Sequence, residues 1–420
     1  MEISKTIESM KSGFQKQFWV ANILELFERF AFYGTKAVLT VYLAIKVGLG
    51  AQAAGTLAGL YSGLIFSLPI IAGTFVDRYG FKKTLMTCFA LFSIGYFLIG
   101  MAGLEFSQVF VNHIGKTTYV TIVLLLTAVG GSLIKPCIVG TVAKTSKPDV
   151  KALGYSIYYT MVNIGGAVGP ILALQVRENL GIEYVLIMSS FTSFLLFLGT
   201  IIFFREPENN NELIEKRTLG KVFIDMILVF KNVKFISFLV IFSGFWIMFW
   251  QIFYSLPFFL INVLKFEKFE LIEAVGPWTI IFATIPIAAL VKKWKPFTAI
   301  LVGFTIASIS WLMLALFQNV YVAIFTVFLF AIGEATQAPR FYEYVSSLAP
   351  KDQVGTFMGF AFLPVAIGSF VAGPLGGFLV HNFLEISYRP TFMWLIVSAI
   401  GFVCILFMYF YNQFFIKKSN

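Results

Sequence analysis

Four ionisable residues, Glu25, Glu28, Arg29 and Lys36, stand within one otherwise apolar stretch of this 420-residue chain. Read as a helix, at about 100° per residue, the stretch places Glu25, Arg29, Tyr33 and Lys36 on one face. Two carboxylates beside a guanidinium and an ammonium can exchange ion-pair partners. A proton that neutralises one carboxylate releases the cation it held. Lys135 and Glu334 stand in other apolar stretches, and so does the pair Arg340 and Glu343. The i,i+3 spacing of that pair suits a local ion pair and a structural role. Glu334 has no basic residue at i±3 or i±4, which makes it a candidate site for a cation or a proton. The competing reading of the first group is that its charges only neutralise one another and tie helices together. Four ionisable groups on one apolar stretch weigh against it. The sequence spells out no phosphate loop, no Ser–His–Asp set and no metal-spaced cluster, so hydrolysis and ATP-driven work have no visible machinery.

The composition says what must position these residues. Hydrophobic residues make up 59% of the chain, charged residues 12%, and the mean hydropathy is +0.86. Soluble domains average about half apolar and a quarter charged. An ordinary soluble enzyme, a disordered chain, a collagen-like fibre and a disulfide scaffold are excluded; a polytopic membrane protein remains. A span needs about 20 mostly apolar residues. Such segments recur at 17–44, 52–72, 83–103, 117–143, 152–175, 181–204, 235–262, 270–291, 296–317, 319–346, 354–380 and 389–412, twelve in all. They read as helices, because lipid offers unpaired backbone no partner, and they lack the alternation of barrel strands. The polar stretch 205–234 divides them into a six-helix bundle over 1–204, a cytoplasmic linker, and a second six-helix bundle over 235–420.

With the N-terminus inside, 21 of the 31 Lys and Arg fall in inner loops and tails and 6 in outer loops. The positive-inside rule then puts both termini in the cytoplasm of a cell membrane. The N-terminus has no early apolar run, so no cleavable signal is expected. Loop lysines account for the net charge of +10, and without a long basic run nucleic acid is not expected as a partner. Cys88, Cys137 and Cys404 lie in apolar segments as packing residues. His113 and His381 fall in outer loops, which leaves no intramembrane histidine relay. Between spans two and three runs Gly73-Thr-Phe-Val-Asp77-Arg78-Tyr-Gly80-Phe-Lys82-Lys83. It resembles the G-x-x-x-D-R-x-G-R/K-K/R loop motif of major facilitator transporters, except that Phe81 stands where the motif is usually basic. The layout of two six-span halves is theirs as well. In this gating motif Asp77, followed by Arg78, is expected to cap or pair with neighbouring helix ends, and Gly80 to permit the tight turn.

Depth links the charges across spans. Counted from the inner ends, Glu25 lies about 10 Å into span one, Arg29 about 16 Å, and Lys135 about 12 Å into span four. A Glu–Lys contact between the two spans is therefore plausible on geometry alone. Glu334 falls near the midplane of span ten. Glu270 and Glu273 open span eight and read as interfacial, with gating as the lesser reading. The first half thus offers Arg29, Lys36 and Lys135, and the second Glu334. A cationic wall opposite an anionic one suits a zwitterion, such as an amino acid or short peptide. Trp246, Trp250 and Trp278 are candidates to line permissive side-chain pockets, against packing or lipid contact. Gly165-Gly166 and Gly373 to Gly377 suit close helix approach.

The same residues carry a more specific resemblance. Glu25-Leu-Phe-Glu28-Arg29-Phe30-Ala-Phe-Tyr33-Gly34-Thr-Lys36 resembles the E-x-x-E-R-F-x-x-Y-G signature of the proton-coupled oligopeptide transporters. Gly130 through Lys135-Pro136, Gly154 through Tyr158-Tyr159 to Asn163 and Gly165, Phe245-Trp246 with Gln251, and Gly333-Glu334 through Met358-Gly359 are similar to later blocks of that family, in the same order. The resemblance implies an all-α major facilitator fold of twelve helices and proton-coupled symport of di- and tripeptides by alternating access. Glu25, Glu28, Arg29 and Lys135 would couple protons. Lys36 and Lys135 would receive the peptide carboxylate, Tyr33 and Asn163 its backbone, and Glu334 its amino terminus. The expected partners are a small peptide, protons and the lipid bilayer, with the monomer functional and no cofactor beyond the coupling ion. Three departures stand out. Trp250 occupies a position before Gln251 that is usually acidic in the family. Lys36 replaces the usual Arg and lacks its bidentate fork. Arg340 adds a charge the pattern does not require. The alternatives are a diverged member carrying another small zwitterion or anion with altered or absent proton coupling, and a non-transporting sensor that keeps the fold.

Overall fold

The computed structural model describes residues 13–207, 219–350 and 353–416. The inner charges expected at Lys5, Lys11, Lys216, Arg217, Lys351, Lys417 and Lys418 lie outside the described residues. The helices are α1 (Lys16–Val41), α2 (Gly50–Ser67), α3 (Pro69–Tyr79), α4 (Phe81–Met101), α5 (Gln108–Ile114), α6 (Lys116–Ser132), α7 (Ile134–Thr145), α8 (Lys151–Asn179) and α9 (Ile182–Phe203). They continue with α10 (Leu219–Lys231), α11 (Val233–Tyr254), α12 (Leu256–Asn262), α13 (Phe269–Val291), α14 (Pro296–Leu316), α15 (Val320–Leu348), α16 (Val354–Gly359), α17 (Leu363–Val380) and α18 (Pro390–Tyr411). Among the described residues no strand forms beyond one isolated bridge, Phe14 to Ser146.

Ten of these segments are long and apolar enough to cross a membrane, and an eleventh is the pair α2 and α3, bent by 50°. Pro69 opens α3, and its missing N–H marks that break. The first expected segment, 17–44, falls on α1, a 26-residue helix whose hydropathy is lowered by Lys16, Glu25, Glu28, Arg29 and Lys36. Among the described residues, ten of the twelve expected spans, or eleven with the bent pair as one, are thus long and apolar enough to cross a membrane, and the helix that falls short of that test carries the candidate chemistry. The chain is a multi-pass membrane protein of all-α class.

Two compact units form. The first holds residues up to Thr35 and Leu68–Val222, the second Lys36–Ser67 and Phe223 onward. In the first, α4 packs between α6 and α9, and α7 against α3 and α8. In the second, α2 lies along α17, while α14 packs on α15 and α18. Its core is aromatic: Phe242 stacks on Phe341 at 4.1 Å, Phe245 on Phe330 at 4.8 Å, and Trp311 on Trp394 at 4.8 Å. Asn232 and Asn319 cap α11 and α15, accepting from Phe235 N and Val322 N at 3.0 Å each.

The turn between α3 and α4 rests on Gly80, whose φ of +81° favours glycine. The first amides of α4 donate to Glu206: Phe81 N to Oε1 at 2.6 Å and Lys82 N to Oε2 at 3.0 Å. Asp77 and Arg78 are exposed at the end of α3, with Arg78 beside the Tyr79 ring. A carboxylate on a helix N-terminus meets both free N–H groups and the helix dipole. Glu206→Ala is expected to destabilise the fold by about 1–2 kcal/mol, read as a lower melting temperature in detergent. Melting at the wild-type temperature would show that the cap holds nothing.

Candidate functional site

In the first unit α1 buries Glu25, Glu28 and Arg29 to 0, 1 and 4% exposure. Arg29 Nε donates to Glu28 Oε2 at 2.5 Å and lies 3.2 Å from Glu25 Oε1, an ion pair without hydrogen-bond geometry. The i,i+4 spacing that put Glu25 and Arg29 on one face thus also brings their charges together. Neither oxygen of Glu25 nor Oε1 of Glu28 has a hydrogen-bond partner. The Arg29 guanidinium covers the Phe32 ring at 4.8 Å. Lys135, half-buried at the start of α7, lies within electrostatic reach of Glu25, Glu28 and Arg29. Tyr33 and Tyr158 reach Arg29 in the same way. Two carboxylates and two cations form a charge-balanced group that one added proton unbalances. Gly165 of α8 makes room for it, since a Cβ there would collide with Arg29 Cβ. Asn163, on the same helix, is half-buried and donates to Tyr159 O at 2.8 Å.

In the second unit the last turns of α1 bury Lys36 to 1% exposure. Its ammonium donates to Ser62 of α2 and, at 3.0 Å, to the Tyr254 hydroxyl of α11. It lies 4.4 Å from the Trp250 ring and 4.4 Å from the Tyr254 ring, which stack on each other at 5.9 Å. Trp250 and Tyr254 are one turn apart, so the same face of α11 supplies both rings. Trp250 thus puts a π-face where an acidic residue would have put a carboxylate, and a cation holds to either. Tyr254 also meets Ser369 at 2.9 Å and Ala58 O at 3.1 Å. This network joins α1, α2, α11 and α17.

Glu334 is half-buried on α15, with no hydrogen-bond or ion-pair partner among the described residues. Tyr342 lies within its electrostatic reach. Arg340 pairs with Glu343 at 2.5 Å and also donates to Val291 O and Lys292 O, so it closes the C-terminus of α13. Trp278 is 38% exposed and stacks on Phe282 at 5.9 Å. Glu270 and Glu273 stand at the head of α13, as the sequence places them, and both are buried, at 0 and 2% exposure. Their position at the head of an apolar run suggested the interface. The helix that carries them, α13, packs on α12 and α15. Sequence reading also passed over Ser62, Tyr254 and Ser369 because hydroxyls in an apolar run carry no spacing signal.

The profile of the Major Facilitator Superfamily matches residues 21–363 and 269–418. The chain is 23% identical over 389 residues to multidrug resistance protein MdtH of Sodalis glossinidius, covering 90% of this chain and 89% of that one. It is 24% identical over 450 aligned positions to dipeptide and tripeptide permease A of Cronobacter turicensis, covering 89% and 87%. Among solved structures, a POT family transporter in complex with a thioalcohol-conjugated peptide superposes with a TM-score of 0.76 at 16% identity, over 94% of this chain and 96% of that one.

Proposed function

We propose that this chain, which belongs to the Major Facilitator Superfamily, is a proton-coupled symporter of di- and tripeptides. The observation that carries the reading is the buried set Glu25, Glu28 and Arg29 with Lys135 in electrostatic reach. A proton on either glutamate leaves a cation without its anion, and that imbalance biases a two-state protein toward the state that resolves it. The name of the permease relative supports peptide as the cargo. On this reading the chain is a secondary transporter and not an enzyme, needs no cofactor beyond protons, and works as a monomer in the plasma membrane with both termini cytoplasmic. The six-helix halves 1–204 and 235–420, joined by the linker 205–234, alternate access.

The roles divide by charge. Lys36 and Lys135 take the substrate carboxylate, Tyr33 and Asn163 its backbone, Glu334 its ammonium, and Trp278 a side chain. Asp77 and Arg78 act at the gate. Glu334→Gln is expected to weaken amino-terminal recognition about tenfold, the loss of roughly 1.4 kcal/mol. Competition assays would read it: free dipeptide should outcompete its N-acetylated form on the wild type and lose that advantage on the variant. Equal competition on the wild type would remove Glu334 from the role.

The deciding experiment uses purified protein in liposomes with an interior pH dye and an interior-negative potential. Dialanine added outside should acidify the interior only when protein and peptide are both present. Peptide exchange without acidification would mean a carrier uncoupled from protons. Neither signal from folded protein would turn the search to other small zwitterions and anions.

A further inference from the structure

Glu273 stands at the head of α13, buried at 2% exposure, and neither of its oxygens has a hydrogen-bond partner. An ionised carboxylate so placed is an uncompensated buried charge; the neutral acid is tolerated far better. The charged groups that act on it are Glu270, on its own helix, and Lys36. The neighbouring α15 brings Tyr321, which is exposed, and Glu334, several turns further along; α12 carries no ionisable side chain. Lys36, in turn, has Glu273 as the one charged group acting on it among the described residues. Its ammonium is held by hydroxyls and aromatic faces: Ser62, Tyr254 and Trp250. A buried cation without an anion and a buried acid without a donor thus occupy one electrostatic neighbourhood of the second unit.

We propose that Glu273 is a second proton-carrying carboxylate, and that its release of the proton moves Lys36 from the Ser62–Tyr254–Trp250 box into an ion pair with Glu273. The step is a proton transfer alone. The O–H bond of Glu273 breaks, the proton passes to water, and the carboxylate left behind meets an ammonium that keeps all its protons. The move has a structural consequence because the box joins α1, α2 and α11, and Tyr254 extends it to α17. Lys36 can satisfy the box or Glu273, so protonation of Glu273 favours the arrangement seen in this structure, and its ionisation the other. The proposal rests on the symport reading for its biological use, but not for its chemistry.

The test uses the full chain in liposomes. Glu273→Gln is expected to carry one proton fewer per dialanine than the wild type, measured as interior acidification against labelled peptide uptake. In parallel, infrared difference spectra across a pH step should show a protonated-carboxyl band that the glutamine variant lacks. An unchanged proton-to-peptide ratio with an unchanged band overturns the proposal. If the wild type moves no peptide, the symport reading fails and the infrared band alone decides: its loss in the variant supports a titrating Glu273, and its persistence rejects it. If the glutamine variant does not fold, Glu273→Asp keeps the acid. A shifted carboxyl band at an unchanged ratio supports the assignment, and an unshifted band overturns it.

Discussion

Glu25→Gln is expected to lower proton-driven peptide accumulation on the order of 5- to 150-fold, the span of coupling energies of about 1–3 kcal/mol. Glutamine copies the protonated acid in shape and charge, so the residue at 25 can no longer alternate. Arg29 then keeps its 2.5 Å bond to Glu28 and loses the ion pair at 3.2 Å. The group formed with Lys135 becomes permanently cationic, as if always loaded. Substrate can still bind and exchange, so counterflow of labelled dialanine between equal concentrations should persist while gradient-driven uptake is lost. Glu28→Gln should do the same and also lower stability, because it weakens the charge-assisted bond in a pair with 1 and 4% exposure. Arg29→Ala is the harshest change, since it strands two buried carboxylates and truncation of one member of a buried ion pair costs about 3–5 kcal/mol. Driven uptake at wild-type rates in the Glu25 and Glu28 variants would sink the coupling role.

Much of this group was legible before any coordinates. Glu25 and Arg29 meet because they are one turn apart, and Arg340 and Glu343 because they are three residues apart. Local spacing fixes such pairs whatever the tertiary structure does. The fold was legible for a similar reason: lipid leaves helices as the economical span, so hydropathy marks the apolar segments from α2 onward. Three features were not legible, and each depends on partners remote in sequence. The cap on α4 is Glu206, which follows Phe81 by 125 residues in the chain. Glu270 and Glu273 sit where an apolar run begins, and a one-dimensional profile cannot separate an exposed helix end from a packed one. Trp250 read as the loss of an acid. Only the approach of Lys36 to the Trp250 and Tyr254 rings at 4.4 Å reveals that aromatic faces hold the cation there.

The same Lys36 box depends on a contact that one methyl group should break. Where α2 meets α17, a Cβ on Gly373 would stand 2.5 Å from both Gly59 Cα and Gly55 O, and one on Gly59 would stand 2.7 Å from Gly373 Cα. All these obstacles are backbone, so no rotamer change relieves them, and the helices must separate. Separation strains Ser369 Oγ to Gly59 O at 3.2 Å, Tyr254 Oη to Ala58 O at 3.1 Å, and Gln52 Nε2 to Pro374 O at 3.2 Å. Lys36 then loses the alignment of Ser62 with Tyr254. Overpacking costs typically about 1–3 kcal/mol, which converts to a population shift on the order of 5- to 150-fold against this arrangement. Gly373→Val is therefore expected to reduce peptide uptake by that factor, and Gly373→Ala by less. The direct readout is a reporter cysteine at Ala54, buried at 0% exposure on α2. The native Cys88, Cys137 and Cys404 are also buried, so background labelling by a polar maleimide should be low. The reporter should be protected in the otherwise wild-type chain and labelled once Gly373 carries a side chain. Full protection together with normal uptake in Gly373→Val would mean that the two helices tolerate a bulkier contact, and that Lys36 is not held in its box by their close approach.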